Sequence, residues 1–83
     1  MVVAVSTLGA GLAQAYTIKG ADCKELYATW KGKSASKAFA LTADGRQCGA
    51  SWGYDSIKNA KKRALRECRG LDQTLKCKIY KTK

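Results

Sequence analysis

The chain has 83 residues, of which 16 are Lys or Arg and six are Asp or Glu, so its formal net charge is +10. It contains four cysteines and no histidine. A sequence of this length has room for one domain, and without histidine it lacks the usual acid–base side chain of neutral pH. These numbers exclude a histidine-dependent catalytic site and a second domain within this sequence.

The first 15 residues are predicted to be a signal peptide. Residues 1–12 are almost wholly apolar or small, and Ala13-Gln14-Ala15 has the small-x-small form that signal peptidases cleave. The apolar run is shorter than the roughly 20 residues that span a bilayer, and no Lys or Arg precedes it, which is unusual. The alternative is that residues 1–15 form a strand or helix of the mature protein. We expect export to the periplasm or the extracellular space, with residues 16–83 as one domain and no transmembrane segment.

A short helix is predicted next. Asp22 and Glu25 have the spacing of a capping box at a helix N-terminus, and Gly32 is a typical residue at a helix end. Four side chains follow the i, i+3, i+4, i+7 spacing of one helix face: Cys23, Leu26, Tyr27 and Trp30. This face is expected to be buried.

Two strands joined by a tight turn follow. Residues 37–41 form the first predicted strand, and Asp44-Gly45 lies in the turn of residues 42–46. Residues 47–52 return as the second strand, with Cys48, Ala50 and Trp52 alternating onto one face. We expect the rings of the apolar faces in the core: Tyr27, Trp30, Phe39 and Trp52.

A long helix and a final strand complete the pattern. Asp55 or Ser56 caps the helix of residues 57–69, and Gly70 ends it. The buried stripe of that helix is expected to contain Ile57, Ala60, Ala64, Leu65 and Cys68. In residues 75–80, Leu75, Cys77 and Ile79 alternate with Lys76, Lys78 and Tyr80. The sequence thus predicts a small α+β domain of αββαβ order, an antiparallel sheet packed by one long helix and one short helix.

The cysteines indicate two disulfides, because a small exported domain buries too little surface to dispense with covalent links. Three pairings are possible. We favour Cys68–Cys77, which closes a short local loop, together with Cys23–Cys48. A zinc site is the competing use of four cysteines, and the absence of both a CxxC pair and a histidine disfavours it.

Residues 37–80 resemble a small module of exported bacterial proteins, the DUF4189-like group. The residues that carry the resemblance are Ala38-Phe39-Ala40, Asp44-Gly45, Gly49-Ala50-Ser51-Trp52-Gly53, Ala60, Ala64-Leu65, Cys68 and Cys77. The resemblance implies a ββαβ core closed by Cys68–Cys77 and an exported bacterial origin. It implies no activity and no catalytic residues, and it does not extend to Cys23.

The outer face of the predicted long helix is strongly basic. Ten of the 16 Lys and Arg lie in residues 56–83, where only Glu67 and Asp72 are acidic. Like charges four residues apart cost a few tenths of a kcal/mol per pair, and a helix that is only solvated usually mixes signs. The predicted anion-binding residues are Lys58, Lys61, Lys62, Arg63, Arg66, Arg69, Lys76 and Lys78. Charge that serves solubility alone is the alternative interpretation.

The predicted partner is an anionic macromolecule or envelope surface: a polyanion, a glycan or a lipid headgroup. Nucleic acid is a less favoured partner, because export removes the protein from it and no nucleic-acid-binding motif is present. Tyr54 and Tyr80 lie beside basic segments and are predicted to add aromatic contact. Two other classes stay open. One is a secreted inhibitor or effector with a host or bacterial protein target and an exposed patch around Trp30 or Trp52; the other is a structural envelope protein without a discrete ligand.

We expect no enzyme, no cofactor and no metal. Ser51 lies outside a GxSxG motif and has no histidine partner, so it is best explained as a small strand residue. The acids are explained by cap, turn or helix-surface positions rather than by a paired-carboxylate site: Asp22, Glu25, Asp44, Asp55, Glu67 and Asp72. The cysteines, if bridged, leave no free nucleophile.

Overall fold

The fold is a three-stranded antiparallel sheet with one helix on each face. A computed structural model describes residues 17–83, so the predicted signal peptide lies outside the described residues. The elements are α1 (Ala21–Lys31), β1 (Ala38–Thr42), β2 (Cys48–Ser51), α2 (Ile57–Arg69) and β3 (Cys77–Thr82). The sheet has the order β2-β1-β3. The predicted α+β class and αββαβ order are confirmed.

Strand β1 is the centre of the core, and all five of its residues are buried. Ala38 and Ala40 point to α2, whereas Phe39 and Leu41 point to the opposite face and pack with Trp30 of α1. Alternate residues of a strand face opposite sides of a sheet, so a strand covered on both sides is apolar throughout. This explains why the sequence here is an uninterrupted run of small and apolar residues.

On one face, small side chains let α2 lie directly against the sheet. The α2 residues buried there are Ala60, Ala64 and Cys68. A Cβ atom at Gly49 would lie 2.2 Å from the Cys68 nitrogen and 2.3 Å from the Ala64 oxygen, so only glycine fits this approach. The buried Ser51 hydroxyl donates to the Ala60 carbonyl at 2.6 Å. Helix and strand therefore meet backbone to backbone.

On the other face, aromatic rings fill the space between the sheet and α1. The Tyr27 ring lies edge-on to Phe39, with centroids 5.1 Å apart, and stacks on Trp30 at 5.5 Å. The Trp30 indole N–H donates to the Ser51 carbonyl at 3.2 Å, which satisfies the polar end of a buried ring. Trp30 and Phe39 are thus confirmed as core residues, whereas Tyr27 is partly buried against them.

Each helix is joined to a strand by one disulfide. Cys23 of α1 is bonded to Cys48 of β2, and Cys68 of α2 is bonded to Cys77 of β3. These are the two favoured pairings, and no described cysteine is free. Disulfides persist in non-reducing compartments, so the pairing is compatible with export.

The helix caps confirm one prediction and correct another. The Ser56 hydroxyl accepts a hydrogen bond from the Asn59 backbone N–H, as an N-cap does. The capping box at Asp22 is wrong: the N-cap of α1 is Gly20, two residues earlier, and it makes no side-chain hydrogen bond. The Gly45 carbonyl accepts the backbone N–H groups of Lys19 and Gly20, which sets where the helix begins.

The prediction that Trp52 is a core residue is also wrong. Its side chain is 40% exposed, and the Lys33 ammonium lies 5.1 Å from the ring centroid. Strand β2 ends at Ser51, and the Gly53 N–H turns away to donate to the Ser34 carbonyl. The alternation that predicted burial therefore stops one residue too early to include Trp52.

The last strand begins later than predicted. It covers Cys77–Thr82 rather than residues 75–80, and paired backbone hydrogen bonds between Lys37 and Lys83 continue its pairing with the chain beside β1.

In the described residues, neither helix has the length and apolar character that a membrane crossing requires.

Candidate functional site

The basic residues of α2 form one continuous outer surface, called here the α2 basic face. The side chains that the helix buries fully are small, and most of its other positions are exposed, whereas the predicted stripe residues Ile57 and Leu65 are only partly buried. The members of the α2 basic face are Lys58, Lys61, Lys62, Arg63, Arg66 and Arg69. All are exposed except Arg69, which is partly buried. The structure thus brings six of the eight predicted anion-binding residues onto one helix.

Helix stability does not explain this charge distribution. Arg66 and Arg69 in the last turn complement the negative end of the helix dipole, but Lys58 lies in the first turn, which contains no acid. A cation near a helix N-terminus is unfavourable by the same dipole. The only ion pair among residues 17–83 joins Arg63 to Glu67 at 2.8 Å, and both side chains are nearly half exposed, so solvent screens it.

A shallow pocket of about 180 Å³ opens on this face beside Tyr54 and is called here the Tyr54 pocket. The described residues that line it are Tyr54, Asn59, Lys62, Arg63 and Arg66. Two backbone hydrogen bonds between Tyr54 and Ser36 fix the loop that carries the ring. Tyr54 therefore lines one pocket together with Lys62, Arg63 and Arg66, so the structure places it beside the basic helix as predicted.

Lys78 does not extend the α2 basic face. Lys78 lies opposite Leu41 in the β1–β3 register. Leu41 packs on the α1 side of the sheet, so Lys78 faces away from α2. Lys76 is exposed just before Cys77, which the disulfide joins to the last turn of α2. The predicted eight-residue surface is thus divided by the sheet.

Tyr80 is not an exposed platform on a basic strand. Its ring is partly buried, 5.5 Å from the Tyr27 centroid and 6.2 Å from that of Phe39, both edge-on. A register shift between Phe39 and Ala40 places Lys81 opposite Phe39 and leaves Tyr80 as the extra residue of β3. Tyr80 therefore belongs to the aromatic layer under α1, on the opposite side from Tyr54.

Sequence reasoning missed a second pocket, of about 240 Å³, which lies on the α1 side and is called here the Tyr27 pocket. The described residues that line it are Tyr27, Trp30, Lys31, Lys37, Lys81 and Lys83. They come from α1, the following loop and the end of the chain, so no local spacing signals that they meet.

Lys37 is the least expected residue of this pocket, because it is only 3% exposed. Its ammonium donates to the backbone carbonyls of Trp30, Lys31 and Lys33 at 3.0, 3.0 and 2.9 Å and lies 4.6 Å from the Trp30 ring centroid. The side chain therefore holds the C-terminal end of α1. The sequence predicted it only as the first residue of a strand.

The carboxylates with lowered pKa values lie in turns. The hydrogen bond from the Thr42 hydroxyl, followed by that from the Arg46 backbone N–H, lowers the pKa of Asp44. The hydroxyl and backbone N–H of Thr74 lower the pKa of Asp72 in the same way. Both groups serve local turn structure, and no cluster of metal-ligating side chains occurs in the described part of the chain.

Comparison with known proteins adds no relative to this picture: no family model matches the sequence, and no significant match is found among curated proteins or solved structures. The DUF4189-like resemblance and the expectations of no enzymatic activity, no cofactor and no metal stay predictions.

Proposed function

We propose that this is an exported protein that binds a polyanion through the α2 basic face. The observation that carries the proposal is the outer surface of α2, which presents five exposed cations and the partly buried Arg69, and on which the single carboxylate, that of Glu67, pairs with Arg63. Such a surface attracts anions at a distance, and several Lys and Arg then contact successive charged groups of the polymer.

The geometry favours an extended ligand that lies along the helix. The 13 residues of α2 would span roughly 20 Å at 1.5 Å per residue, and its cations are distributed over that length. Arg63 and Arg66 offer planar groups that pair with phosphate, sulfate or carboxylate, while the Tyr54 ring adds contact area beside them. The buried side of α2 is alanine-rich and held by Cys68, so the helix binds a surface without inserting into it.

The compartment directs the choice of partner. Two disulfides are typical of proteins in non-reducing surroundings, and with the predicted signal peptide they support a periplasmic or extracellular location. The polyanions available there are acidic glycans and the phosphate-bearing headgroups of envelope lipids. Nucleic acid remains the less favoured partner because the proposal places the protein outside the cytoplasm.

Charge reversal on α2 tests this proposal. The variant Lys62→Glu/Arg66→Glu is expected to lose at least tenfold in affinity for heparin, used as a sulfated glycan, and for vesicles with anionic phospholipid. Lys19→Glu/Lys24→Glu is the matched control, because both lysines are exposed, lie outside α2 and give the same change in net charge. Wild-type binding should also weaken steeply between low and high salt.

Two results would contradict the proposal. Equal losses in the two double variants would show that net charge, rather than the α2 basic face, determines binding. Wild-type affinity that does not change with salt would show that the cations do not contribute. Circular dichroism of each variant establishes that the fold is intact, which is expected because all four positions are exposed.

The exposure of Trp52 favours a second candidate, a secreted module that binds another protein. Trp30 does not contribute to such a patch, since its side chain is buried and only 2% exposed. Under this alternative, Trp52→Ala reduces partner binding while Lys62→Glu/Arg66→Glu has little effect. The polyanion proposal predicts the reverse order for these two variants.

A further inference from the structure

We propose that the Tyr27 pocket binds one phosphorylated sugar residue, at a site separate from the α2 basic face. The proposal does not depend on polyanion binding by α2, since α2 covers the other face of the sheet. It rests on four features of the pocket: its size, the charge around its rim, the buried cation at its base and its rigid aromatic wall.

The size indicates a small ligand. The volume of about 240 Å³ is below the roughly 300–1,000 Å³ of pockets for drug-sized molecules. One sugar ring with one charged substituent matches such a space, whereas a nucleotide cofactor or a polymer segment does not. The pocket therefore differs in kind from the extended surface of α2.

The charge of the rim indicates an anion. Lys31, Lys81 and Lys83 are exposed and line the pocket, and none of its described lining residues is acidic. None of the three forms an ion pair within residues 17–83. A phosphate group carries up to two charges and several acceptor oxygens, which suits convergent ammonium groups better than a single carboxylate does.

The Lys37 ammonium at the pocket compensates the negative backbone carbonyls that would otherwise repel an anion. The C-terminal carbonyls of a helix carry the negative end of its dipole, and α1 ends at this pocket. The Lys37 ammonium donates to two of these carbonyls, those of Trp30 and Lys31, and to the carbonyl of Lys33 just after the helix. All three ammonium protons are then used, so Lys37 acts through its charge and position rather than by contacting the ligand.

The wall of the pocket indicates a ring beside the charge. The Tyr27 side chain is held by stacking on Trp30 and by edge contacts with Phe39 and Tyr80. A fixed aromatic side chain gives contact area to a sugar ring at little entropic cost. The Lys31 ammonium lies 5.4 Å from the Tyr27 centroid, so ring and cation are already adjacent. This pairing distinguishes a sugar phosphate from free phosphate.

The test is a titration of the ¹⁵N-labelled protein with glucose 6-phosphate, followed by NMR. The indole N–H of Trp30 should shift in a saturable way because Trp30 lines the pocket, while that of Trp52, which is not among the described lining residues, should shift much less. The variant Lys31→Gln/Lys81→Gln should weaken binding at least tenfold. The control Lys19→Gln/Lys24→Gln removes the same charge from exposed positions outside the pocket and should bind as the wild type does.

Each other outcome would overturn the proposal. Absence of saturable binding, equal weakening in both double variants, or equal shifts at the two indoles would show that no defined site exists. Inorganic phosphate binding as tightly as the sugar phosphate would remove the sugar from the proposal. If the pocket double variant does not fold, Lys81→Gln alone provides the measurement.

The charge reversal on α2 separates this proposal from the proposed function. Lys62→Glu/Arg66→Glu should bind glucose 6-phosphate with wild-type affinity, and the pocket double variant should retain heparin binding. Either binding proposal can therefore be contradicted while the other still holds.

Discussion

The two faces of the sheet show two ways in which a small chain can bury its centre. Toward α2, glycine and alanine allow a backbone approach so close that a Cβ atom at Gly49 would overlap the Ala64 carbonyl. Toward α1, the rings of Tyr27, Trp30 and Phe39 fill a wider gap. Close packing of small groups and broad packing of rings both exclude water, but only the first leaves no space for added atoms.

The difference in packing leads to a difference in surface. Because α2 commits few positions to the core, it presents an extended row of cations. Because α1 is short and ends over the aromatic layer, it leaves a concave space that Lys31 and Lys81 both line. A convex basic helix suits a polymer, and a concave basic pocket suits a small molecule.

The largest expected losses of folding stability come from removing the disulfide that joins each helix to the sheet. In the loop-entropy description, a closed loop of 25 residues contributes about 3.5 kcal/mol and one of 9 residues about 2.6 kcal/mol. We therefore expect Cys23→Ala/Cys48→Ala to lower the free energy of unfolding more than Cys68→Ala/Cys77→Ala does. Urea denaturation measures both. The opposite ranking would mean that the close packing of α2 depends on its disulfide more than the aromatic layer depends on its own.

A single methyl group should distinguish the two packing modes. Gly49→Ala is expected to destabilise the protein by about 2–3 kcal/mol, because α2 must move away from the sheet. The neighbouring Ala50 faces the α1 side and is partly exposed, so Ala50→Val should cost less than about 1 kcal/mol. Thermal unfolding compares the pair. Similar losses at both positions would show that the two faces are equally tight.

Acid should affect the turns before either face. The lowered pKa values of Asp44 and Asp72 mean that the folded chain favours the ionised carboxylates. Their stabilisation is complete above the ordinary pKa of about 3.8 and is lost as the pH falls through the lowered values. We expect a small loss of stability in Asp44→Asn/Asp72→Asn at pH 6 that disappears near pH 2, measured by urea midpoints. A difference that persists at pH 2 would assign the effect to something other than ionisation.

The order of the elements follows from local patterns. Hydrophobic periodicity marks both helices, Asp44-Gly45 marks the hairpin turn, and Ser56 marks the start of α2. The short loop between Cys68 and Cys77 favours that disulfide, although the sequence alone leaves three pairings possible. These features depend on neighbours in sequence, so a single chain reveals them.

The misplaced residues depend on partners distant in sequence. Lys37 is buried because its ammonium donates to three carbonyls at and just after the end of α1. No local sequence pattern around Lys37 predicts these contacts. Trp52 is exposed because β2 ends one residue before it. Lys78 faces the α1 side because of its register with β1. The α2 basic face was predictable from one helix, whereas the Tyr27 pocket required the tertiary fold.

Ser51 gives the two faces a shared point of support. Its hydroxyl donates to the Ala60 carbonyl of α2, and its own carbonyl accepts the indole N–H of Trp30 in α1. A displacement of either helix therefore changes a hydrogen bond made by the same residue. If ligands on the two sides influence each other, Ser51 is one physical link between them, and thermodynamics requires the influence on affinity to be equal in both directions.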